Sequence, residues 1–431
     1  MMKESSPVKC TKLEEIYLYL TERDRIRILE ELDSSPVVVW ESGVIIDYDG
    51  SLYQELDSIP IIAKLGGRKQ LGLEGNCTDF VSRSHAAAHT RYTHSLVMAT
   101  KLDYIAQTHG LDRILVTSSG IFHDVATPPF SDSVSKPLGL NDQEYFGYVL
   151  NRCSAALRFL ERRGISKRRL CSIVDGTDTS PIGQLVSSRG SIDVDRWSYV
   201  IEDAINLGQA TESLGSTYYP DPFKAFDIIK GQVVFLDVGE VKRFLEARVC
   251  MIEQVYLKDK LKAKEAFFGH LLKRMRRKGI IRNDEMFSMS EDELQRRCLH
   301  FDKELAERIF HLDGFDIYGR FYADPKELTS FLLKETKRPF VVEQGHPPNP
   351  AVDTPVLHNG RVELYRELEP FHAAILRRRL DCFNSTDVFG YGKDSELKSV
   401  VARAERKFRI YQPSIQPLLE YATMLEREMT K

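Results

Sequence analysis

Cysteine is sparse in this chain: seven residues in 431, at positions 10, 77, 153, 171, 250, 298 and 382. The count is odd and no CxxC spacing occurs, so neither a disulfide framework nor a cysteine zinc site is indicated. Long apolar runs are missing as well; none approaches the ~18–20 residues that a membrane-spanning helix needs. Met1 to Ser5 carry no apolar signal core, so the expectation is a cytoplasmic protein without membrane association. Positive charge is not in excess either. Lys and Arg number 60 against 63 Asp and Glu, a net charge of −3, which argues against a chain-wide nucleic-acid surface while leaving a local basic cleft open. What is present is an ordinary globular balance, 42% hydrophobic and 29% charged. The length suffices for two or three domains, each with its own core.

Patterning along the chain is mostly helical. Thr21 and Asp24 open a first helix whose stripe is Ile26, Leu29 and Leu32; Ser34-Ser35-Pro36 ends it. Val37–Trp40 and Val44–Tyr48 flank Ser42-Gly43 as a short hairpin. Leu96, Val97, Met98, Leu102 and Ile105 form a helix that Gly110 closes, and Asp112 caps the next, which Pro128-Pro129 stops. Further helices are expected over 142–164, 193–207, 239–278, 291–311 and 325–336, with a strand at 233–238. Pro339, Pro347, Pro348, Pro350 and Pro355 then read as a linker, and 361–380 and 395–430 as helical. The expected division is an N-terminal helix and hairpin over 1–56, a core over 57–338, and a linker with a helical C-terminal subdomain over 339–431.

One constellation carries chemistry. His94 opens a helix after Arg91-Tyr92-Thr93, His123-Asp124 ends another, and Asp195 lies within Ser191-Ile192-Asp193-Val194-Asp195-Arg196-Trp197. Two imidazoles and two carboxylates make a mixed nitrogen and oxygen shell suited to Mn, Fe, Co, Ni or Zn, with Mg also allowed. Ile121, Phe122 and Val125 would bury the His-Asp pair, and burying such a pair calls for compensation that one divalent metal ion supplies. Four protein ligands on a six-coordinate ion leave two places, one for a phosphate oxygen and one for water.

These residues resemble the metal-binding pattern of the HD phosphohydrolase superfamily, and more narrowly its deoxynucleoside triphosphate triphosphohydrolase branch. The similar stretches are Lys69-Gln70-Leu71-Gly72, His89 to Leu96, His123-Asp124 with Pro129-Phe130-Ser131, and Ile192 to Trp197 with Tyr199 and Asp203; Arg248 with Tyr256 is a fainter match. The resemblance implies a mostly α fold, an HD-type helical core with minor β-hairpins and a helical C-terminal extension. It implies His94, His123, Asp124 and Asp195 as metal ligands and Arg91, Arg196 and Arg248 as holders of a triphosphate. Tyr199, Asp203 and Tyr256 would face the sugar of a nucleotide substrate, with Gln70 and Leu71 against it. A homo-oligomer is expected.

Departures accompany the match. Where the family carries further histidines beyond the His-Asp pair, this chain has Ala126, Thr127 and Asp132, and Asn141-Asp142-Gln143-Glu144. Thr127, Asp142 and Glu144 are therefore the candidates for handling protons, although a carboxylate and an imidazole are not equivalent. A catalytically impaired nucleotide sensor and a mono- or diphosphate phosphatase are the alternatives. His85 and His89 have i, i+4 spacing but lack the glutamate of a zinc protease helix. The basic runs 273–278 and 377–379 would serve a nucleic acid, though solvated helix ends account for them as well.

Overall fold

The computed structural model describes residues 37–39, 45–47, 50–73, 90–206, 220–311, 314–381 and 383–410. The fold is mostly α-helical with small sheets, as expected. Val37–Val39 (β1) and Ile45–Asp47 (β2) pair as the antiparallel hairpin that their β-branched residues call for. The helix expected at 21–32 and the His85/His89 pair lie outside the described residues.

Two helices form the centre. Arg91–His109 (α1) begins at Thr90, whose side chain accepts a hydrogen bond from Thr93 N, and ends at Gly110 in the left-handed region, φ 65°. Arg113–Phe122 (α2) starts from Asp112, which caps Leu115 N. They pack tightly where Gly120 meets Ala99: a Cβ on Gly120 would lie 2.9 Å from Ala99 Cα. This contact sets the first turn of α1, with His94, beside the end of α2, with His123.

Around the pair lie Asp132–Leu138 (α3), Asp142–Asn151 (α4), Lys167–Val174 (α5), Pro181–Val186 (α6) and Val194–Asn206 (α7). Asp193 precedes α7, accepts from Arg196 N and Ser188 N, both at 2.8 Å, and so fixes where that helix starts. Between α2 and α3 the turn is strained: Phe130 and Ser131 have φ of 59° and 49°. Gly72 (φ +52°) lies against it, where a Cβ would come within 2.6 Å of Phe130 O. Buried Glu291 ties the two segments, accepting from Lys69 N at 2.9 Å and Phe130 N at 3.4 Å.

Val238–Met251 (α8) runs into a π-helical turn over Ile252–Tyr256, and Asp259–Arg277 (α9) follows. The continuous helix expected over 239–278 is thus broken at Leu257-Lys258. The strand expected at 233–238 is shorter: Phe226–Ile229 (β3) and Gln232–Phe235 (β4) form a hairpin about Lys230-Gly231, and Asp237 already caps α8.

The C-terminal part departs most from expectation. Phe315–Tyr322 (β5), Pro325–Glu335 (α10), Val341–Gln344 (β6), Thr386–Tyr391 (β9), Ser395–Ala404 (α12) and Arg409–Ile410 (β10) build an antiparallel sheet in the order β10-β5-β9-β6. This is the order of a split βαβ-βαβ unit, with its own core of Phe321, Leu328, Leu332, Val388, Leu397 and Val401. Inserted between β6 and β9 are Pro355–His358 (β7), Arg361–Leu364 (β8) and Pro370–Asp381 (α11). Residues 361–364 are therefore a strand, not the expected helix, because Asn359 and Gly360 (φ 49° and 77°) make a two-residue hairpin turn. β7 pairs in parallel with β4 and β9 pairs with β5, so ladders of two sheets join residues on either side of position 338 in the sequence. No helix among the described residues is long and apolar enough to cross a membrane.

Candidate metal centre

His94, His123 and Asp195 converge. Their donor atoms all lie within 4.8 Å of one another, although the residues are far apart in sequence. His94 Nε2 is 3.0 Å from Asp195 Oδ1, and His123 Nε2 is 3.6 Å from the same oxygen. The two rings meet edge to face at 5.2 Å.

Each imidazole is held from behind in the manner of a metal ligand. His123 Nδ1 donates to Gly120 O at 2.7 Å, which turns Nε2 toward the carboxylates. That Nε2 is buried and makes no hydrogen bond among the described residues. A bare nitrogen aimed at two carboxylates is what a divalent cation would satisfy. Fully buried His94 presents Nε2 to Asp195, and its Nδ1 lies 3.4 Å from Glu202 Oε2. Glu202 was not among the residues expected from the sequence. Its signal was there: seven residues beyond Asp195 on α7 is a turn of only about 20° from the same face.

The fourth expected ligand, Asp124, borders this trio. Its Oδ2 is 3.4 Å from His123 Nε2 and accepts from Arg91 Nη1 at 2.9 Å; its Oδ1 accepts from Thr127 Oγ1 at 3.0 Å. Thr127 is thus occupied in orienting Asp124. Arg91 also donates from Nε to Ser131 Oγ at 3.1 Å, which ties it to the strained turn.

The electrostatics follow from this crowding. Burial opposes a charge on His94, but hydrogen bonds that it donates to Asp195 and Glu202 outweigh it and raise its pKa to about 10. His123 is raised for the same kind of reason, burial being outweighed by Asp124 and Asp195. Burial of Asp124 is overcome by Arg91 and the two histidines, which pull its carboxyl down to about 2. Asp193 goes the other way: burial lifts it to about 6 despite Arg196.

A cavity of about 420 Å³ opens beside the trio. It is lined by Arg91, His123, Asp124, Asp132, Ser135, Asn141, Ser187 and Asp195, with Leu140, Val174 and Val186 as its apolar residues. Several expected substrate residues lie elsewhere. Arg196 pairs with Asp193 and donates to Ser188 O at 2.8 Å. Arg248 donates to Tyr199 Oη at 3.2 Å and to Asn349 O at 2.5 Å. Tyr256 Oη donates to Asp203 at 2.6 Å, and the rings of Tyr199 and Tyr256 are 6.1 Å apart. These four form one network, but neither they nor buried Gln70 and Leu71 line the cavity. Glu144 is exposed and also outside it; the Asp142 side chain is outside the described residues. In the basic runs, Arg274 pairs with Asp302 at 2.7 Å and Arg276 donates to Leu138 O at 2.7 Å. Arg379 is tied to Glu253.

One helix brings a histidine in its first turn, a second ends on a histidine, and a third brings an aspartate to them. Residues 91–174, which include Arg91, His94, His123 and Asp124, match the family model of the HD domain. Among curated proteins, an uncharacterised protein of Methanocaldococcus jannaschii is 25% identical over 181 residues, 40% of this chain. The match spans 36%, about a third, of that relative's length. Two solved structures share the fold. A hypothetical protein from Aquifex aeolicus superposes with a TM-score of 0.65 at 18% identity, over 85% of this chain and 100% of that one. A phosphohydrolase from Bacteroides thetaiotaomicron gives 0.62 at 16%, over 83% and 100%.

Proposed function

We propose that the protein is a metal-dependent phosphohydrolase and that its substrate is a nucleotide. The observation that carries this reading is the convergence of His94, His123 and Asp195, with His123 Nε2 bare and a cavity alongside. The HD domain supports it, and so does the likeness to a phosphohydrolase of the same fold. The resemblance to the deoxynucleoside triphosphate triphosphohydrolase branch motivates the nucleotide.

Bound there, a divalent ion would supply a Lewis acid for a phosphoryl oxygen and a site for the attacking water. The protein's own groups do the rest. Asp124 is held on one oxygen by Arg91 and on the other by Thr127, so it cannot swing away. Arg91 uses Nε and Nη1 in these bonds, while Nη2, which makes none among the described residues, is left for a phosphate oxygen. Leu140, Val174 and Val186 add apolar surface to the lining and lower the local dielectric, which strengthens that contact.

Elemental analysis of the purified protein, with a nucleotide turnover screen in Mn, Co or Mg, tests the proposal. Bound metal and released phosphate or nucleoside are expected. A preparation that takes up no metal refutes the reading. Metal and nucleotide binding without turnover would favour the sensor reading, which the lack of any imidazole but His123 in the described cavity lining supports.

A further inference from the structure

We propose that Thr354 is a positioning residue for Asp195, so that a turn of the C-terminal insertion sets the geometry of the metal centre. The inference rests on the metal-dependent reading above and adds to it a residue far outside the HD match.

Asp195 is the second residue of α7, and an aspartate has only two side-chain torsions. Where its carboxylate lies therefore depends on where the helix begins. The segment leading in runs from Ser187 to Asp195, and both of these residues line the cavity. Asp193 shapes the segment by accepting from Ser188 N and Arg196 N. Those bonds are local. Thr354 supplies one from a distant part of the chain.

Thr354 is fully buried and immediately precedes β7. Its Oγ1 accepts from Ile192 N at 3.1 Å and from Ser191 Oγ at 3.4 Å, and donates to Ala351 O at 2.7 Å. The hydroxyl proton and both lone pairs are thus in use. The turn is itself held in place. Thr354 O accepts from Tyr365 N at 2.8 Å, Val352 O from Arg366 N at 3.1 Å, and Asn349 Oδ1 from Ala351 N at 2.8 Å. Buried Ala351 has a φ of 59°, a left-handed conformation that persists only where the surroundings enforce it.

The same turn reaches α7 a second time. Asn349 O accepts from Arg248, which also donates to Tyr199 Oη on α7. Gly190 lies against the turn as well: a Cβ there would be 3.6 Å from Asp353 Oδ2 and 3.7 Å from Asn349 Nδ2. The ties at Ile192 and Tyr199 bracket Asp195 in the sequence. A site of this kind needs its ligands placed to within about 0.5 Å, so a small shift of the turn is felt at the carboxylate.

The test uses the full-length protein. Electron paramagnetic resonance reads the Kd for Mn(II), the absorption bands of the Co(II)-loaded protein read the ligand field, and melting of the metal-free protein reads stability. Thr354→Val keeps the shape and removes the hydroxyl. It should raise the Kd by about tenfold, the lower end of what losing an outer partner of a metal site costs, and shift the Co(II) bands. Thr354→Ser keeps the hydroxyl and should restore both. Leu332→Ala, in the separate core of the C-terminal sheet, should lower the melting temperature and leave the Kd and the bands as in wild type. If Thr354→Val does not fold, Asn349→Ala decides. It takes the partner from Ala351 N at an exposed position and should move the Kd and the bands in the same direction. An unchanged Kd and unchanged bands in the deciding variant, no rescue by serine, or an equal change in Leu332→Ala would overturn the inference, while metal uptake by the wild type leaves the phosphohydrolase reading standing. A wild-type protein that takes up neither Mn nor Co removes both.

Discussion

Removing the Glu202 carboxylate should weaken metal binding without touching a ligand. Glu202 stands 3.4 Å behind His94, on the nitrogen opposite the one that faces Asp195. Such an outer carboxylate fixes the tautomer, orients the ring and raises the basicity of the ligating nitrogen. Its loss typically costs 10–100-fold in affinity. At about 1.4 kcal/mol per tenfold, that is about 1.4–2.8 kcal/mol of binding free energy. Glu202→Ala should therefore raise the Kd for Mn(II) by 10–100-fold. Glu202→Gln, which keeps an acceptor oxygen but not the charge, should recover part of the loss. Titration followed by electron paramagnetic resonance measures both, and the absorption bands of the Co(II)-loaded protein report the altered ligand field. If Glu202→Ala lowers the melting temperature of the metal-free protein yet leaves the Kd and the Co(II) bands unchanged, the contact is structural only and the reasoning is wrong.

Other consequences are quickly checked. Asp195→Ala and His123→Ala should each abolish metal retention on gel filtration while the far-ultraviolet circular dichroism stays native. Arg91→Ala should weaken inorganic phosphate binding to the metal-loaded protein more than it weakens metal binding, read by calorimetry on each step. Because the His94 pKa is raised to about 10, its proton must be displaced when metal binds. Mn affinity should then climb between pH 6.5 and 9 with proton release, and a flat profile would mean that His94 is not a ligand. For the metal-free protein the sign is the reverse. Stabilisation from a raised histidine is complete below its unfolded value near 6.5 and fades as pH rises through the folded one, so the melting temperature should fall over the same interval. Gly72→Ala puts a Cβ 2.6 Å from Phe130 O at a φ of +52° and should cost about 1–3 kcal/mol in denaturant unfolding.

The helices that carry the site were legible because their ends are written locally. Gly110 and Asp112 are capping residues, and the structure uses each as a cap, whereas α1 starts at Arg91 after the Thr90 cap rather than at His94. The ligand trio was legible because motif order survives folding. Contacts between distant segments were not. Arg248 reads as a phosphate holder, and only the fold shows that the carbonyl of Asn349, 101 residues later, accepts a hydrogen bond from its Nη1. Asp203 drew notice on α7 ahead of Glu202, although an eight-residue step rotates about 80° from Asp195 and a seven-residue step about 20°. Asp203 accordingly faces Tyr256 and Glu202 faces His94. The hairpin at 355–364 is a different kind of miss. Asn359-Gly360 is a strong local turn signal, and it was passed over amid prolines that suggested a linker.

The threading of the last hundred residues has a practical outcome. Ending the chain at residue 338 would strip β5 of its three sheet companions and leave β3 and β4 without β7 and β8. A protease nick in the proline-rich stretch, by contrast, cuts between strands that stay clamped on either side. Shortened versions made for crystallisation or assay should therefore be trimmed outside residues 315–410, since that interval supplies strands to two sheets.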